Sequence, residues 1–179
     1  MYRRAIPSDD LTGLRAEADR TIRRSAGTSA VQEHGEPESE WFWEGNIQSA
    51  MIKHLAADDW AVLSVANTAT REHGVDIIAR KSGRRILVEV KGYPSKYYVR
   101  GENKVQLKKT PPSLQARVWF ADLLMSGMLN AGDEPDAAVV LCMPDVPTYR
   151  SLEARTADSL DALGFARAWI SESGDVEWA

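Results

Sequence analysis

Two acidic residues, Asp76 and Glu89, flank a short hairpin-like pattern, and Lys91 follows the second acid by two positions. Both arms are rich in β-branched and aliphatic residues, and Ser82-Gly83 between them has the composition of a turn. A turn centred on this pair places Asp76 directly opposite Glu89, where like charges repel each other. A divalent cation, with Lys91 on the same strand face as Glu89, would offset that repulsion. The pattern therefore predicts metal-dependent phosphodiester chemistry.

The two faces of this hairpin differ in composition. In the same register Ile78 faces Leu87, and these apolar residues share the face of the acids, so we expect a second layer to cover it at least in part. A Glu-x-Lys pair taken alone is more often a solvated pair on a strand edge. Carboxylates on a covered face need a partner, however, because burial of unpaired charge is costly. The other face is apolar throughout and should face a core: Val75, Ile77, Ala79, Ile86, Val88 and Val90.

The bulk composition is that of a globular protein with one well-cored domain and extensions. The chain has 179 residues, of which 44% are hydrophobic and 27% are charged. It contains no apolar run long enough to span a bilayer, and its first residues lack the apolar core of a secretion signal. The only cysteine, Cys142, excludes an internal disulfide and a cysteine-based zinc cluster. A cytoplasmic location and no membrane association are the simplest expectations.

Charge is strongly segregated along the sequence. The net charge is −4, yet the stretch from Arg80 to Lys109 contains ten basic and two acidic residues, a local charge of +8 (10 − 2) that leaves −12 for the remainder. Such segregation is typical of a polyanion-binding face, although lysines that only keep a loop solvated would look similar. Tyr93, Tyr97 and Tyr98 in this stretch could stack on bases or sugars. The candidate nucleic-acid-binding residues are Lys96, Tyr97, Tyr98, Arg100, Lys104, Lys108, Lys109 and Arg117.

The sequence divides into two parts. Residues 9–25 have the apolar spacing of a helix, and residues 26–40 are polar without periodicity, so residues 1–40 are predicted to form an N-terminal helix and a polar linker. The compact domain is expected at residues 41–179, with a motif-bearing core over 41–129 and a C-terminal completion over 130–179.

Within that domain the pattern predicts a mixed α/β fold. Ser113 is expected to cap the second helix of the domain, whose inward residues would be Leu114, Val118, Trp119, Phe120 and Leu123. The predicted elements, in order, are a helix over 44–57, a strand over 60–66, the two hairpin strands, a helix over 113–129, a strand over 137–142, a helix over 149–163 and a strand over 166–170.

Polar side chains on the two main helices could reach the carboxylate face. Glu44 and Gln48 are four residues apart and share one face of the first helix, from which they could complete the oxygen shell of a metal. Gln115, in the first turn of the later helix, could supply a neutral amide. Each residue alone is weak evidence, because Glu44 also fits an ordinary first-turn acid and both glutamines fit a solvated surface.

Taken together, these segments resemble the PD-(D/E)xK nuclease superfamily, and the resemblance covers roughly residues 41–129. The Mrr-like and Holliday-junction-resolvase branches are the most similar. Two departures exist: in resolvase-type members the spacing of the helix glutamate matches Gln48 rather than Glu44, and Gly74-Val75 replaces proline before the first acid. We assign the helix role to Glu44, with Gln48 as its neighbour. The motifs that carry the resemblance are Glu44-Gly45-Asn46-Ile47-Gln48, Gly74-Val75-Asp76-Ile77, Glu89-Val90-Lys91 and Gln115-Ala116-Arg117.

The resemblance implies a restriction-endonuclease-like fold, a mixed β-sheet flanked by helices with an α-β-β-β-α-β core after an N-terminal helical extension. It implies Mg²⁺ or Mn²⁺ bound by Asp76, Glu89, Glu44 and the carbonyl of Val90, with Lys91 positioning the attacking water or stabilising the transition state. The implied activity is that of a Mg²⁺-dependent deoxyribonuclease, an endonuclease of prokaryotic restriction, repair or defence. DNA is the expected partner. RNA, a homodimer and a larger defence or repair complex stay open.

Two functions of other classes compete with this interpretation. One is a catalytically inactive nuclease-fold module that binds nucleic acid or acts as a scaffold in a larger complex, and the presence of Asp76, Glu89 and Lys91 argues against it. The other is a solvated carboxylate–lysine cluster on a metabolic or structural α/β protein. A histidine-based metal site, a glycine-rich nucleotide loop and a nucleophile elbow have no support in the sequence.

Overall fold

The computed structural model describes residues 37–66, 74–98 and 106–179. Over these ranges the protein is of the α/β class, with a six-stranded mixed sheet flanked by helices. The predicted helix over 9–25 and most of the linker over 26–40 lie outside the described residues, as do Arg100 and Lys104.

The elements follow the predicted order, except that two helices replace the one predicted over 149–163 and a strand is added at the C-terminal end. A short 3-10 helix, Pro37–Ser39, precedes the first α-helix. The elements are α1 (Glu44–Ala57), β1 (Ala61–Val65), β2 (Ile77–Lys81), β3 (Arg84–Val90), α2 (Pro112–Asp133), β4 (Ala138–Pro144), α3 (Pro147–Ala154), α4 (Ala157–Ala162), β5 (Ala166–Ile170) and β6 (Val176–Trp178).

The strands lie in the sheet in chain order, β1 to β6. β1, β2 and β3 are antiparallel, β4 and β5 add in parallel to β3, and β6 is antiparallel to β5. The predicted hairpin register is confirmed, because Ile78 pairs with Leu87. Ser82 and Gly83 have φ values of 48° and 80°. Positive φ at both central residues is the geometry that a two-residue hairpin loop requires.

Each face of the sheet carries its own core. The face predicted to be apolar packs against α1, where Ile47, Met51 and Leu55 meet Ile77 and Val88. The opposite face packs against α2, where Ala116, Phe120 and Leu123 cluster with Leu141 and Trp169 from β4 and β5. The expectation that a second layer covers the carboxylate face is therefore confirmed, since Leu87 and Glu89 are both buried on β3.

The orientation and the N-terminal end of α2 each correct a prediction. Leu114 and Val118 were expected to point inward but are 61% and 67% exposed, whereas Ala116 is buried. Gly127 explains this choice, because a Cβ there would lie only 2.9 Å from Leu141 Cδ2, so the glycine lets the helix approach the sheet closely. The expected cap by Ser113 is also wrong, since the helix begins at Pro112 without a side-chain cap.

The C-terminal part departs from the sequence prediction in two ways. The single helix expected over 149–163 is two helices, α3 and α4. The Thr156 hydroxyl lies between them and donates to the carbonyls of Leu152 and Glu153, which competes with continuation of the helix. β6 was not predicted, and it is only three residues long. Its Trp178 donates from Nε1 to His54 Nε2 on α1.

Within the part of the chain that the structure describes, no helix combines the length and the apolar character needed to cross a membrane.

We predict that Gly92→Ala destabilises the protein because the backbone is tightly packed there. A Cβ at Gly92 would lie 2.6 Å from the backbone nitrogen of Glu44 and 2.8 Å from the carbonyl oxygen of Phe42. Backbone atoms cannot move aside as a flexible side chain can, so the free energy of unfolding should fall by about 1–3 kcal/mol in chemical denaturation. The matched control is Gly132→Ala in α2, where a Cβ meets no atom within 4 Å. It should leave stability unchanged or raise it by up to about 1 kcal/mol, and equal effects of the two changes would contradict the prediction.

Candidate active site

Four of the predicted catalytic residues meet at one end of the sheet. Asp76 immediately precedes β2, and Glu89 and Lys91 lie at the end of β3. Glu44 begins α1, whose first turn approaches the same strand end at Gly92. The hairpin, the close approach at Gly92 and the start of α1 therefore bring Asp76, Glu89, Lys91 and Glu44 into one site.

Asp76 is fixed by backbone contacts on both sides. Its carbonyl oxygen accepts from the Ala66 N–H at 2.9 Å, and its Oδ2 accepts from the Val90 N–H at 2.7 Å. Burial raises the pKa of Asp76, and the Val90 N–H and the Lys91 charge oppose that effect only in part. The last ladder pair, Ile77 with Val88, places Asp76 one position further along, beside Glu89 as predicted.

Glu89 is the most perturbed acid of the site. It is only 8% exposed, and burial followed by repulsion from Asp76 raises its pKa to about 7. Its Oε1 accepts from the Asn130 amide of α2 at 2.6 Å, a contact that favours the charged form without cancelling the burial effect. Glu89 therefore exchanges a proton near neutral pH.

Lys91 carries the positive charge of the site. Its Nζ lies 2.9 Å from Oδ2 of Asp122 on α2, and 21% of its side chain is exposed. Burial alone would lower the pKa of Lys91, but the ion pair with Asp122 and the charge of Glu44 outweigh it and raise the pKa. The lysine thus stays protonated while it lies among carboxylates.

Glu44 belongs to the same electrostatic group. Burial raises its pKa, Lys91 opposes the rise, and Asp76 adds to it. The backbone N–H of Gly92 also favours its charged form. Because charges act on Glu44 from both strands of the hairpin, the first residue of α1 is part of the site rather than an ordinary solvated first-turn acid.

The two glutamines have more local contacts than expected. Gln48 is buried, and its Nε2 donates to the carbonyls of Ala66 and Asp76, so it positions the backbone of the first acid. Gln115 accepts from Lys108 Nζ at 3.4 Å, and among the described residues it makes no hydrogen bond to an acid of the site. The role of Gln115 as a neutral amide on the carboxylate face stays a prediction, and the partner that the structure gives this side chain is Lys108.

Asp122 and Asn130 were not predicted from the sequence, although both touch the predicted site. Both lie on α2, the layer that covers the carboxylate face. The only available signal was a polar residue on a helix expected to cover buried acids. The sequence did not show which face of α2 turns toward the sheet, so that signal did not separate Asp122 and Asn130 from other polar residues of the helix.

Part of the basic stretch from Arg80 to Lys109 is exposed to solvent. Tyr97 pairs with Leu107 in an isolated antiparallel bridge, and the Lys108 N–H donates to the Lys96 carbonyl. The residues described just before and just after 99–105 therefore lie next to each other. Lys96, Tyr97, Lys109 and Arg117 are exposed, and Tyr98 and Lys108 are half-buried.

Tyr93 is a packing residue, which corrects the suggestion that it stacks on bases. Its ring makes edge contacts with Phe42 and Tyr149, and its hydroxyl is hydrogen bonded to Thr148 Oγ1 at 3.0 Å. Two basic residues of the segment are also neutralised locally: Lys81 pairs with Asp58 and Arg85 pairs with Glu134.

The donor set suits a hard cation that keeps water in its shell. Among the described residues, no group of three or more His, Cys, Asp or Glu side chains forms a ready cage for a metal. One oxygen of each acid accepts the hydrogen bond from Val90 or Asn130. Among the described residues, Oδ1 of Asp76 and Oε2 of Glu89 accept no hydrogen bond. Mg²⁺ is usually bound by one or two carboxylates together with waters and substrate phosphate. Asp76 and Glu89 fit that requirement.

The chain matches no protein-family model, no curated protein and no solved structure.

We predict that divalent cations stabilise the protein much more at about pH 8 than at about pH 5.5. Since the pKa of Glu89 is raised from 4.5 to about 7, the folded protein holds a proton that the unfolded chain has lost across this window. Stability of the cation-free protein therefore falls as pH rises from 4.5 to 7, and a cation that binds the carboxylate offsets the loss. Thermal unfolding with EDTA or Mn²⁺ measures both effects.

Glu89→Gln is the matched control for this prediction. The amide keeps the shape of the side chain and cannot ionise, so the cation-free variant should lose less stability as pH rises. Its stabilisation by Mn²⁺ should also be smaller at about pH 8. An equal response of the wild-type protein and the variant would show that Glu89 is not the titrating ligand.

Proposed function

We propose that the protein is a metal-dependent endonuclease that hydrolyses phosphodiester bonds in DNA. One observation carries the proposal: Asp76 and Glu89 lie side by side at the end of a hairpin, both with raised pKa values, beside the protonated Lys91. A protein gains no stability from two partly buried acids that repel each other, so the arrangement fits a site that binds a cation. Mg²⁺ or Mn²⁺ is the cation with the matching ligand preference.

Bound at Asp76 and Glu89, the cation would lower the pKa of a water ligand and stabilise negative charge on the phosphate. Asp76 and Glu89 are already fixed for this task by the Val90 N–H and the Asn130 amide. Glu44 adds a carboxylate from α1, and the carbonyl of Val90 is a further candidate ligand.

Lys91 has the properties of a group that stabilises charge on the scissile phosphate. It stays protonated, and it lies beside both candidate ligands. Its ion pair with Asp122 holds the ammonium group, and 64% of the Asp122 side chain is exposed, so this pair lies where the site opens to solvent. A phosphate that enters from that side would meet the ammonium group directly.

The topology supports the same proposal. An antiparallel hairpin carries the acids, a parallel β4 follows, and α1 and α2 cover opposite faces. A mixed sheet flanked by helices is the coarse feature that the resemblance implies, and the finer restriction-endonuclease-like topology is part of the proposal. The exposed Lys96, Tyr97 and Lys109 lie on the segment that follows Lys91, where a nucleic-acid backbone could bind.

The alternative function is a nuclease-fold module that binds nucleic acid without cleaving it. The ion pair between Lys91 and Asp122 favours this alternative, because a lysine paired at 2.9 Å is less available to a phosphate. Because the pKa of Glu89 is raised to about 7, a fraction of the protein molecules has an uncharged Glu89 near pH 7. Cleavage assays separate the two functions.

We predict that Asp76→Asn, Glu89→Gln and Lys91→Met each lower DNA cleavage by at least about 100-fold. The first two changes each remove a carboxylate that holds the cation, and the third removes the charge that stabilises the reacting phosphate. Cleavage of supercoiled, linear and branched DNA with Mg²⁺ or Mn²⁺ measures this effect. Lys53→Met, at an exposed lysine of α1, is the matched control for Lys91→Met and should keep wild-type activity. Tight binding without cleavage by the wild-type protein would support the inactive module, and neither binding nor cleavage would exclude both functions.

A second measurement tests the binding surface. The double variant Lys96→Ala and Lys109→Ala should lower the slope of log affinity against log salt concentration by about 1.8, since each lysine–phosphate contact contributes about 0.9 on duplex DNA. Fluorescence anisotropy with EDTA present measures binding without cleavage. Lys53→Ala should leave the slope unchanged, and an unchanged slope in the double variant would show that DNA does not contact this segment.

A further inference from the structure

Helix α2 has a second apolar stripe on the side that faces away from the sheet. Its large members are between 46% and 67% exposed, which is unusual for so many aliphatic and thioether side chains on one helix face. The stripe consists of Leu114, Val118, Ala121, Met125, Met128 and Leu129.

The stripe is distinct from the face that packs on the sheet. Ala116, Phe120 and Leu123 are buried in the core under β4 and β5. Leu114 and Val118 are each two positions away from a buried residue, which is about 200° around an α-helix. A helix that is apolar on both faces is normally covered on both, so the outer face of α2 lacks the cover that its composition requires among the described residues.

The spacing of the stripe is that of a helix that packs against another helix. Leu114, Val118, Ala121, Met125 and Met128 follow one another at alternating steps of four and three residues. Alternation of four and three is the pattern of a two-helix seam, in which these residues occupy the central positions. A seam of this kind selects a helix as its partner rather than a flat surface or a bilayer.

The charges beside the seam identify which helix fits. Arg117 immediately precedes Val118 of the seam, and Asp122 immediately follows Ala121. The two charged residues are therefore five positions apart in the sequence. In a parallel pair of helices, a residue that flanks the seam on one chain faces the residue five positions later on the other chain, so Arg117 of one protomer would face Asp122 of the partner subunit. Arg117 is exposed, and the structure shows it in no ion pair with the residues described, while 64% of the Asp122 side chain is exposed.

We propose that the outer face of α2 is the interface of a parallel homodimer. The stripe of one protomer packs against the stripe of its partner about a two-fold axis that runs along the helices. Each Arg117 forms an ion pair with Asp122 of the partner subunit, so the interface contains two symmetric pairs. The sequence left a homodimer open, and this assignment gives Arg117 an interface contact instead of the predicted DNA contact.

The opposite orientation fits the charges less well. In an antiparallel pair centred on the stripe, the two Asp122 side chains would lie near each other on the same flank. Like charges there would repel, and Arg117 would face the uncharged part of the partner helix. The parallel arrangement is therefore the one that the charges favour.

The interface is modest in size. The stripe runs over 16 residues, from Leu114 to Leu129, and its 15 steps of 1.5 Å give a length of about 22 Å. α2 is already held by its own core, so association costs no helix formation. The interface has few side chains and two exposed ion pairs, so we expect a dissociation constant of roughly micromolar order.

The same contact links the interface to the candidate site. Asp122 already binds Lys91 at 2.9 Å, and Arg117 of the partner subunit would compete with Lys91 for that carboxylate. The competition would release the ammonium group for phosphate, and this step rests on the proposed function. The dimer itself does not, because its mass is measured without any cleavage assay.

The test is the molar mass of the full-length chain by sedimentation equilibrium from about 1 to 100 µM. The wild-type protein should change from monomer to dimer across this range. Val118→Asp should remain monomeric, because a charge in the seam would be buried without a partner. Leu63→Asp, at a similarly exposed residue of the edge strand β1, is the matched control and should dimerise as the wild-type protein does. Thermal unfolding of each variant shows whether it is folded.

Charge exchange tests the orientation. Arg117→Asp alone and Asp122→Arg alone should each weaken the dimer at least tenfold, since each creates two repelling pairs. An equimolar mixture of these two variants should form a heterodimer with wild-type affinity, because both flanks then carry opposite charges. One flank keeps the native Arg117–Asp122 pair, and the other has the two charges exchanged.

A wild-type chain that is monomeric at 100 µM overturns the proposal. So does a dimer that Val118→Asp leaves intact, which would lie on another surface or be formed by residues outside the described ranges. A dimer that is lost in Val118→Asp but shows no recovery in the mixture overturns the parallel orientation.

Discussion

Charge balance at the end of the β2–β3 hairpin is the constraint on which the rest of the structure depends. Glu44, Asp76, Glu89 and Asp122 act electrostatically on one another there, and Lys91 is the cation among them. Four acids and one lysine give a formal charge of −3 if all are ionised. The protein lowers that charge by protonation, most of all at Glu89, whose pKa is raised to about 7. A bound divalent cation would remove the same imbalance without protons.

The scaffold holds the acids with groups that carry no net charge. The Val90 N–H and the Asn130 amide each donate to one carboxylate oxygen, and Gln48 holds the backbone of Asp76. Neutral donors fix the positions of the acids without cancelling their charge. An arginine in the place of Asn130 would have neutralised Glu89 and left it no affinity for a cation. The choice of amides over cations is therefore consistent with a binding role.

Much of the hairpin could be predicted from the sequence because its information is local. Ser82-Gly83 determines the register, and the alternation of side chains then determines which residues face the α1 core. The contacts from α2 could not be predicted in the same way. That helix has an apolar stripe on each face, so periodicity alone does not show which one is buried. The close approach at Gly127 determines the phase, and it depends on Leu141 and Phe165, which are distant in sequence. Asn130 and Asp122 reach the site only in that phase.

The parallel pairing of β3 with β4 has a consequence for the order in which the site acquires its properties. The bond from the Val90 N–H to Asp76 lies within the hairpin and can form early, while water still surrounds both acids. The perturbation of Glu89 needs the later arrival of α2 and β4, which are joined to β3 by a long crossover. We therefore expect solvent to be excluded from the acids late in folding. Protons or cations taken up from the medium would accompany it, and acidity and ionic composition should set the rate of the final consolidation more than that of hairpin formation.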